Sequence, residues 1–192
     1  MKIAVLLATG YEEGESLFVV DILRRAGFQA ESVSTTGELL VAGAQGIVSQ
    51  ADRLLGDDIK EYDMIVLPGG QPGVTNLDAN EKVIELVRYF DAQHKWVAAI
   101  CAAAKVLHTS GIHKGRRLTS YPLEKYRQLF LEESDYVEDE IVVIDDNLIT
   151  SRGPGTTLHF AYALVDALGG DGDALREKMQ YNLLCSLIRR GQ

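Results

Sequence analysis

Short apolar runs alternate with helical patterns along this chain, and that alternation restricts its fold more than any other feature. Lys2–Ala8, Gln29–Ser34, Asp63–Leu67 and Trp96–Ile100 read as strands. Lys2–Ala8 and Asp63–Leu67 are apolar on successive positions, which suits a strand covered on both faces. Between the strands, Glu15–Ala26 and Glu81–Gln93 carry the helical repeat, with Gly27 as the stop of the first. Repetition of this kind builds βαβ units, so the sequence predicts an α/β fold with a mainly parallel central sheet.

The remaining segments fit the same plan. Leu39–Ala51, interrupted by Gly43 and Gly46, reads as a strand pair or hairpin. A helix starting at Cys101 ends near Gly111, and short strands follow around Leu118–Ser120, Tyr136–Val137, Ile141–Ile144 and Leu148–Ser151. Arg152–Thr157 is a turn into a helix capped by Thr156 or Thr157, which runs to Leu168 and stops at Gly169-Gly170. Asp171–Ile188 reads as one last helix. With no repeat, low-complexity tract or long linker, residues 1–192 are expected to form one domain.

Composition excludes several functions. A net charge of −9, with basic pairs scattered at Arg24-Arg25, Arg116-Arg117 and Arg189-Arg190, argues against a nucleic-acid surface. No window approaches the roughly 18 apolar residues of a membrane span, and the first apolar run is too short and wrongly flanked for a secretory leader. Two cysteines make no disulfide framework, so a reducing cytoplasm is the expected compartment. No metal site is expected: His and Cys spacings match no zinc pattern, and Asp57-Asp58, Glu132–Asp135 and Asp145-Asp146 read as solvated charge.

Chemistry concentrates where the Trp96–Ile100 strand meets Cys101. A thiol between a strand and a helix sits in a tight turn at the carboxyl end of the sheet, with Ala99 and Ala103 small enough to let the turn close. The partial positive charge of the helix N-terminus favours thiolate there, so Cys101 is expected to be reactive. Cys185, on an amphipathic helix, has no such setting and reads as structural or incidental. In open α/β sheets, sites form at the carboxyl ends of strands, so the Thr9–Gly14 and Pro68–Gly73 loops should share a rim with Cys101. Backbone N–H groups of the second loop could serve an oxyanion hole. Glu15, opening the first helix, is a candidate carboxyl partner whose pKa burial beside sulfur would raise.

Four motifs occur in order: Glu12-Glu13-Gly14-Glu15, the strand and turn over residues 63–70, Ala99-Ile100-Cys101-Ala102, and Thr150-Ser151-Arg152-Gly153-Pro154-Gly155-Thr156. In this they resemble the DJ-1/ThiJ/PfpI family, within the class I glutamine amidotransferase-like superfamily. The resemblance implies a flavodoxin-like three-layer α/β/α sandwich with a nucleophile elbow, usually a homodimer and without cofactor. It implies Cys101 as nucleophile, Glu15 as its carboxyl partner, and backbone N–H donors at Gly69, Gly70 and Ala102. Tyr121, Arg25 and Arg152 are further pocket candidates. Tyr121 stands where some relatives carry His, and Gln45 where some carry an arginine that reaches the cysteine across a dimer. His108, seven residues beyond Cys101 and about 10 Å along a helix, is no substitute. His94, His113 and His159 read, like His108, as surface or packing residues.

The resemblance implies two readings of function. One is cofactor-independent glyoxalase or deglycase chemistry on reactive carbonyls of the methylglyoxal class. The other is a redox sensor or chaperone in which Cys101 oxidises to sulfinate without significant turnover. Amidase or peptidase activity is a third and weaker reading, because no basic partner for the thiol is visible, and the name ThiJ brings an association with thiamine biosynthesis that carries no mechanism.

Overall fold

Strand β1 (Lys2–Leu7) lies between β2 (Gln29–Ser34) and β6 (Met64–Leu67), pairing in parallel with both. Every residue of β1 beyond Lys2 is buried, as the continuous apolar run requires of a strand covered on both faces. The computed structural model describes residues 1–191. Its main sheet has seven strands, adding β5 (Arg53–Leu54), β7 (Trp96–Ile100), β10 (Val142–Asp145) and β11 (Leu148–Ser151), in the order β10-β11-β7-β6-β1-β2-β5. All neighbours are parallel except β10 and β11, which form an antiparallel hairpin.

Helix α1 (Glu13–Arg25) packs against α6 (Thr157–Ala167) on one face of the sheet. On the other, α2 (Gly73–Asp78), α3 (Glu81–Ala92) and α4 (Ala104–Ser110) pack together, with α3 on β6 and β7. This is the flavodoxin-like α/β/α arrangement. The strand order reverses between β1 and β6, so the loops after those strands part and leave a crevice at their carboxyl ends. Acids in the first turn of α1 and Arg24 and Arg25 in its last follow the helix dipole. Asn80 caps α3 by accepting from the Lys82 N–H at 3.1 Å.

The hairpin expected over Leu39–Ala51 is β3 (Leu40–Ala42) and β4 (Val48–Gln50). Strands β8 (Arg117–Leu118) and β9 (Asp135–Tyr136) form a separate parallel pair. Three short elements lack a sequence signal, β5, α2 and α5 (Glu124–Arg127), because two to six residues are too few to show a period. The last helix departs from expectation. Instead of one helix over Asp171–Ile188, there are two, α7 (Gly172–Lys178) and α8 (Tyr181–Arg189), broken at Gln180 in the left-handed region (φ 62°). The break turns Tyr181 back onto Tyr162, with ring centroids 5.2 Å apart.

Candidate active site

The turn after β7 holds Cys101 in the left-handed backbone region (φ 63°), followed by a single tight turn before α4 begins. A β-carbon is disfavoured in that region, so the elbow costs on the order of 1–2 kcal/mol and has to be held by its surroundings. They do hold it: Ala99, Ile100, Ala103 and Ala104 are buried, and the Tyr121 N–H donates to the Cys101 carbonyl at 3.2 Å.

Glu15 reaches the same point from α1. It is fully buried, and its Oε2 accepts a hydrogen bond from the Gly69 N–H at 2.7 Å. Oε1 has no nitrogen or oxygen partner, and the carboxyl lies within hydrogen-bonding reach of the Cys101 thiol. Gly69 has to be glycine because a Cβ there would lie 2.6 Å from Glu15 Oε2 and 2.7 Å from Cys101 Cβ. Gly70 (φ 91°) turns the loop against Gly10–Glu12, closing the β1 and β6 loops on each other.

The electrostatics correct one expectation. The helix N-terminus does not dominate the thiol. Cys101 is 8% exposed, and burial, together with the charge of ionised Glu15, raises its pKa above the ordinary thiol range. The backbone N–H groups of Ala102 and Gly70 oppose that rise. Burial also pushes Glu15 up to about 7, against the pull of the Gly69 N–H. The two groups are linked, because ionising one disfavours ionising the other, and in the resting site the carboxyl gives up its proton before the thiol does.

At the pair is a cavity of about 240 Å³ lined by Glu12, Gly70, Gln71, Cys101, Ala102 and Tyr121, together with Leu123, Lys125, Tyr126 and Pro154. The structure brings Cys101, Glu15, Gly69, Gly70, Ala102 and Tyr121 together. It does not bring in Arg25, which sits about 15 Å farther along α1 and pairs with Asp21 at 2.8 Å. Nor does Arg152 line the cavity: its guanidinium donates to the Glu138 carbonyl. The Gly69 N–H, expected to face an oxyanion, is taken by Glu15. The His108 and His113 rings pack against each other at a tilt of 32° with centroids 4.8 Å apart, and His113 is buried, as packing residues are. Lys125 had no sequence signal, because nothing in Pro122–Tyr126 shows that α5 and the turn before it come to line the cavity over the cysteine.

A profile of the DJ-1/PfpI family matches residues 1–167. The chain belongs to the DJ-1/PfpI family. Protein dj-1beta of Drosophila melanogaster is 37% identical over 177 residues, which is 92% of this chain and 91% of that protein. The crystal structure of Drosophila melanogaster DJ-1beta superposes with a TM-score of 0.85 at 34% identity, covering 96% of this chain and 98% of that one. A relative in Schizosaccharomyces pombe, named glutathione-independent glyoxalase DJ-1, is 31% identical over 86% of this chain and 90% of its own length. Family membership thus includes a glyoxalase-named homologue. No helix among the described residues is long and apolar enough to cross a membrane.

Proposed function

We propose that the protein converts small α-oxoaldehydes of the methylglyoxal class, free or as early adducts, to 2-hydroxy acids without a cofactor. The observation that carries this reading is the buried Glu15 carboxyl set beside the Cys101 thiol, which lines a cavity of about 240 Å³. The thiolate adds to the aldehyde carbon, and the new C–S bond leaves a hemithioacetal whose oxygen takes a proton. Glu15 carboxylate removes the hydrogen from that carbon and returns it to the neighbouring carbon through an enediol, leaving a thioester. Water then cleaves the thioester, releasing lactate from methylglyoxal and restoring the thiolate. A carboxyl with a pKa of about 7 is half ionised near neutrality, which suits a group that must take and return a proton. The N–H groups of Gly70 and Ala102, which lower the thiol pKa in the resting site, are the donors assigned to the developing oxyanion. The name of the Schizosaccharomyces pombe relative supports the same chemistry.

Lactate formation from methylglyoxal without glutathione tests the reading. Cys101→Ala is expected to abolish it and Glu15→Gln to depress it strongly; a Cys101→Ala rate equal to the parent's overturns it. Selective addition of two oxygens to Cys101 by mild peroxide, with no carbonyl turnover in the parent, would favour the sensor instead. For the assembly, a homodimer is proposed through the face where Leu17 (43% exposed), Phe18 (49%) and Ile47 (55%) surround an apolar hollow. Sedimentation of Phe18→Glu against the parent would test that assignment.

A further inference from the structure

The cavity over Cys101 does not end at the cysteine. A second cavity, about 270 Å³, is lined by Gln71, Thr75, Lys105, Lys125, Tyr126 and Leu129. Gln71, Lys125 and Tyr126 line both, so the two adjoin along that wall. The near cavity is balanced in charge, with Glu12 against Lys125. The far cavity has two lysines and no carboxylate in its lining, in a chain whose net charge is −9.

The two lysines are not equivalent. Lys105 Nζ is held by Asp78 Oδ2 at 2.8 Å and is neutralised there. Lys125 Nζ rests over the Tyr126 ring, 4.9 Å from its centroid. The adjacent carboxylate does not take it: Glu124 turns to Arg127 and Gln128. The wall beneath is fixed as well, with Gln71 Nε2 donating to the Tyr126 hydroxyl at 3.1 Å and the Thr75 hydroxyl donating to Gln71 Oε1 at 2.9 Å. An ammonium on an aromatic shelf, facing a groove that leads to a nucleophile, is a receiver for an anionic group. No arginine lines the groove to grip a phosphate by two parallel bonds, so the arrangement suits a carboxylate.

We propose that the site selects α-oxoaldehydes bearing a carboxylate tail, with the aldehyde at Cys101 and the tail on Lys125. The assignment rests on the proposed glyoxalase reading and narrows its substrate class. With 4,5-dioxopentanoate the thiolate adds to the aldehyde carbon, hydrogen moves to the neighbouring carbon, and water releases 2-hydroxyglutarate; one water is consumed and nothing is oxidised overall.

Two measurements on the full chain test this. In the first, kcat/KM is compared for 4,5-dioxopentanoate and methylglyoxal. The parent is expected to favour the anionic aldehyde, Lys125→Met to lower that ratio roughly 5-fold, the worth of a partly exposed ion pair, and Lys125→Arg to keep most of it. In the second, Cys101 is alkylated with 3-maleimidopropionate and with N-ethylmaleimide, and Lys125→Met is expected to lower the ratio of the two rates by a similar factor. This readout needs no turnover. If the parent converts neither aldehyde, the glyoxalase reading fails while the maleimide ratio still decides the role of Lys125. Ratios unchanged by Lys125→Met overturn the proposal.

Discussion

The Gly69 N–H donates to Glu15 Oε2 at 2.7 Å, while the space a Gly69 side chain would need is filled by Glu15 and Cys101. One residue without a side chain therefore both orients the acid and lets the thiol approach it. A methyl group at Gly69 would meet Cys101 Cβ at 2.7 Å, and the elbow has no slack to move into because Ile100, Ala102 and Ala103 are buried. Gly69→Ala is expected to cost about 1–3 kcal/mol in urea unfolding through overpacking. It should also lower methylglyoxal turnover by roughly 100-fold through displacement of the reacting groups. Full activity in that variant would show that the close approach is not needed.

Glu15 makes stability depend on pH in an unusual direction. Its folded pKa of about 7 lies above the ordinary 4.5, so between those values the folded chain retains a proton that the unfolded chain has lost. The stabilisation is complete below pH 4.5 and disappears as pH rises through 7, a change on the order of 3 kcal/mol. Glu15→Gln has no such titration. Urea unfolding of parent and variant across this window should show the parent losing stability relative to Glu15→Gln as pH rises. Parallel curves would mean that burial does not raise the carboxyl.

The same pair sets the thiol. In the parent, deprotonation of the pair falls into two steps, and the upper one is raised by burial and, further, because it places a second negative charge beside the first. Glu15→Gln removes that charge while keeping the shape. Alkylation of Cys101 against pH is expected to show a single thiol step in Glu15→Gln, lying below the upper step of the parent. A variant whose thiol titrates at or above the parent's upper step would exclude coupling between the two groups.

These electrostatics mark the limit of what the residues alone disclose. The parallel sheet is legible because β1, β6 and β7 are apolar runs, and the elbow because Cys101 ends one of them beside small residues. Glu15 is legible as an acid at a helix start and, through its motif, as a partner of Cys101. Its burial depends on β1 lying beside β6, a long-range pairing that no local pattern records. For the same reason a helix-dipole argument, which sees only the chain after Cys101, gives the wrong direction for the thiol: burial outweighs the dipole, and the charge of Glu15 on α1 adds to it. Arg25 fails as a pocket residue because it ends α1, whose opposite end follows the Thr9–Gly14 loop into the crevice. Lys125 lies on α5, a single turn too short to show a period, whose position is set by packing of Tyr126 and Phe130, both buried.

The elbow itself supplies a last expectation. Cys101 at φ 63° carries the steric penalty of a β-carbon in the left-handed region, and alanine at that position carries it equally. Glycine does not, although it adds about 0.5–1 kcal/mol of unfolded-chain entropy. Since both replacements remove the thiol and leave Glu15 in place, their difference isolates the backbone. Cys101→Gly is therefore expected to be more stable than Cys101→Ala by about 0.5–1 kcal/mol, a rise of roughly 1–4 °C in Tm for a chain of this size. Calorimetry of the two variants at one pH measures it. If the alanine variant melts higher, the strain is not stored at this residue, and the tight packing of Gly69 against Cys101 and Glu15 must hold the turn without it.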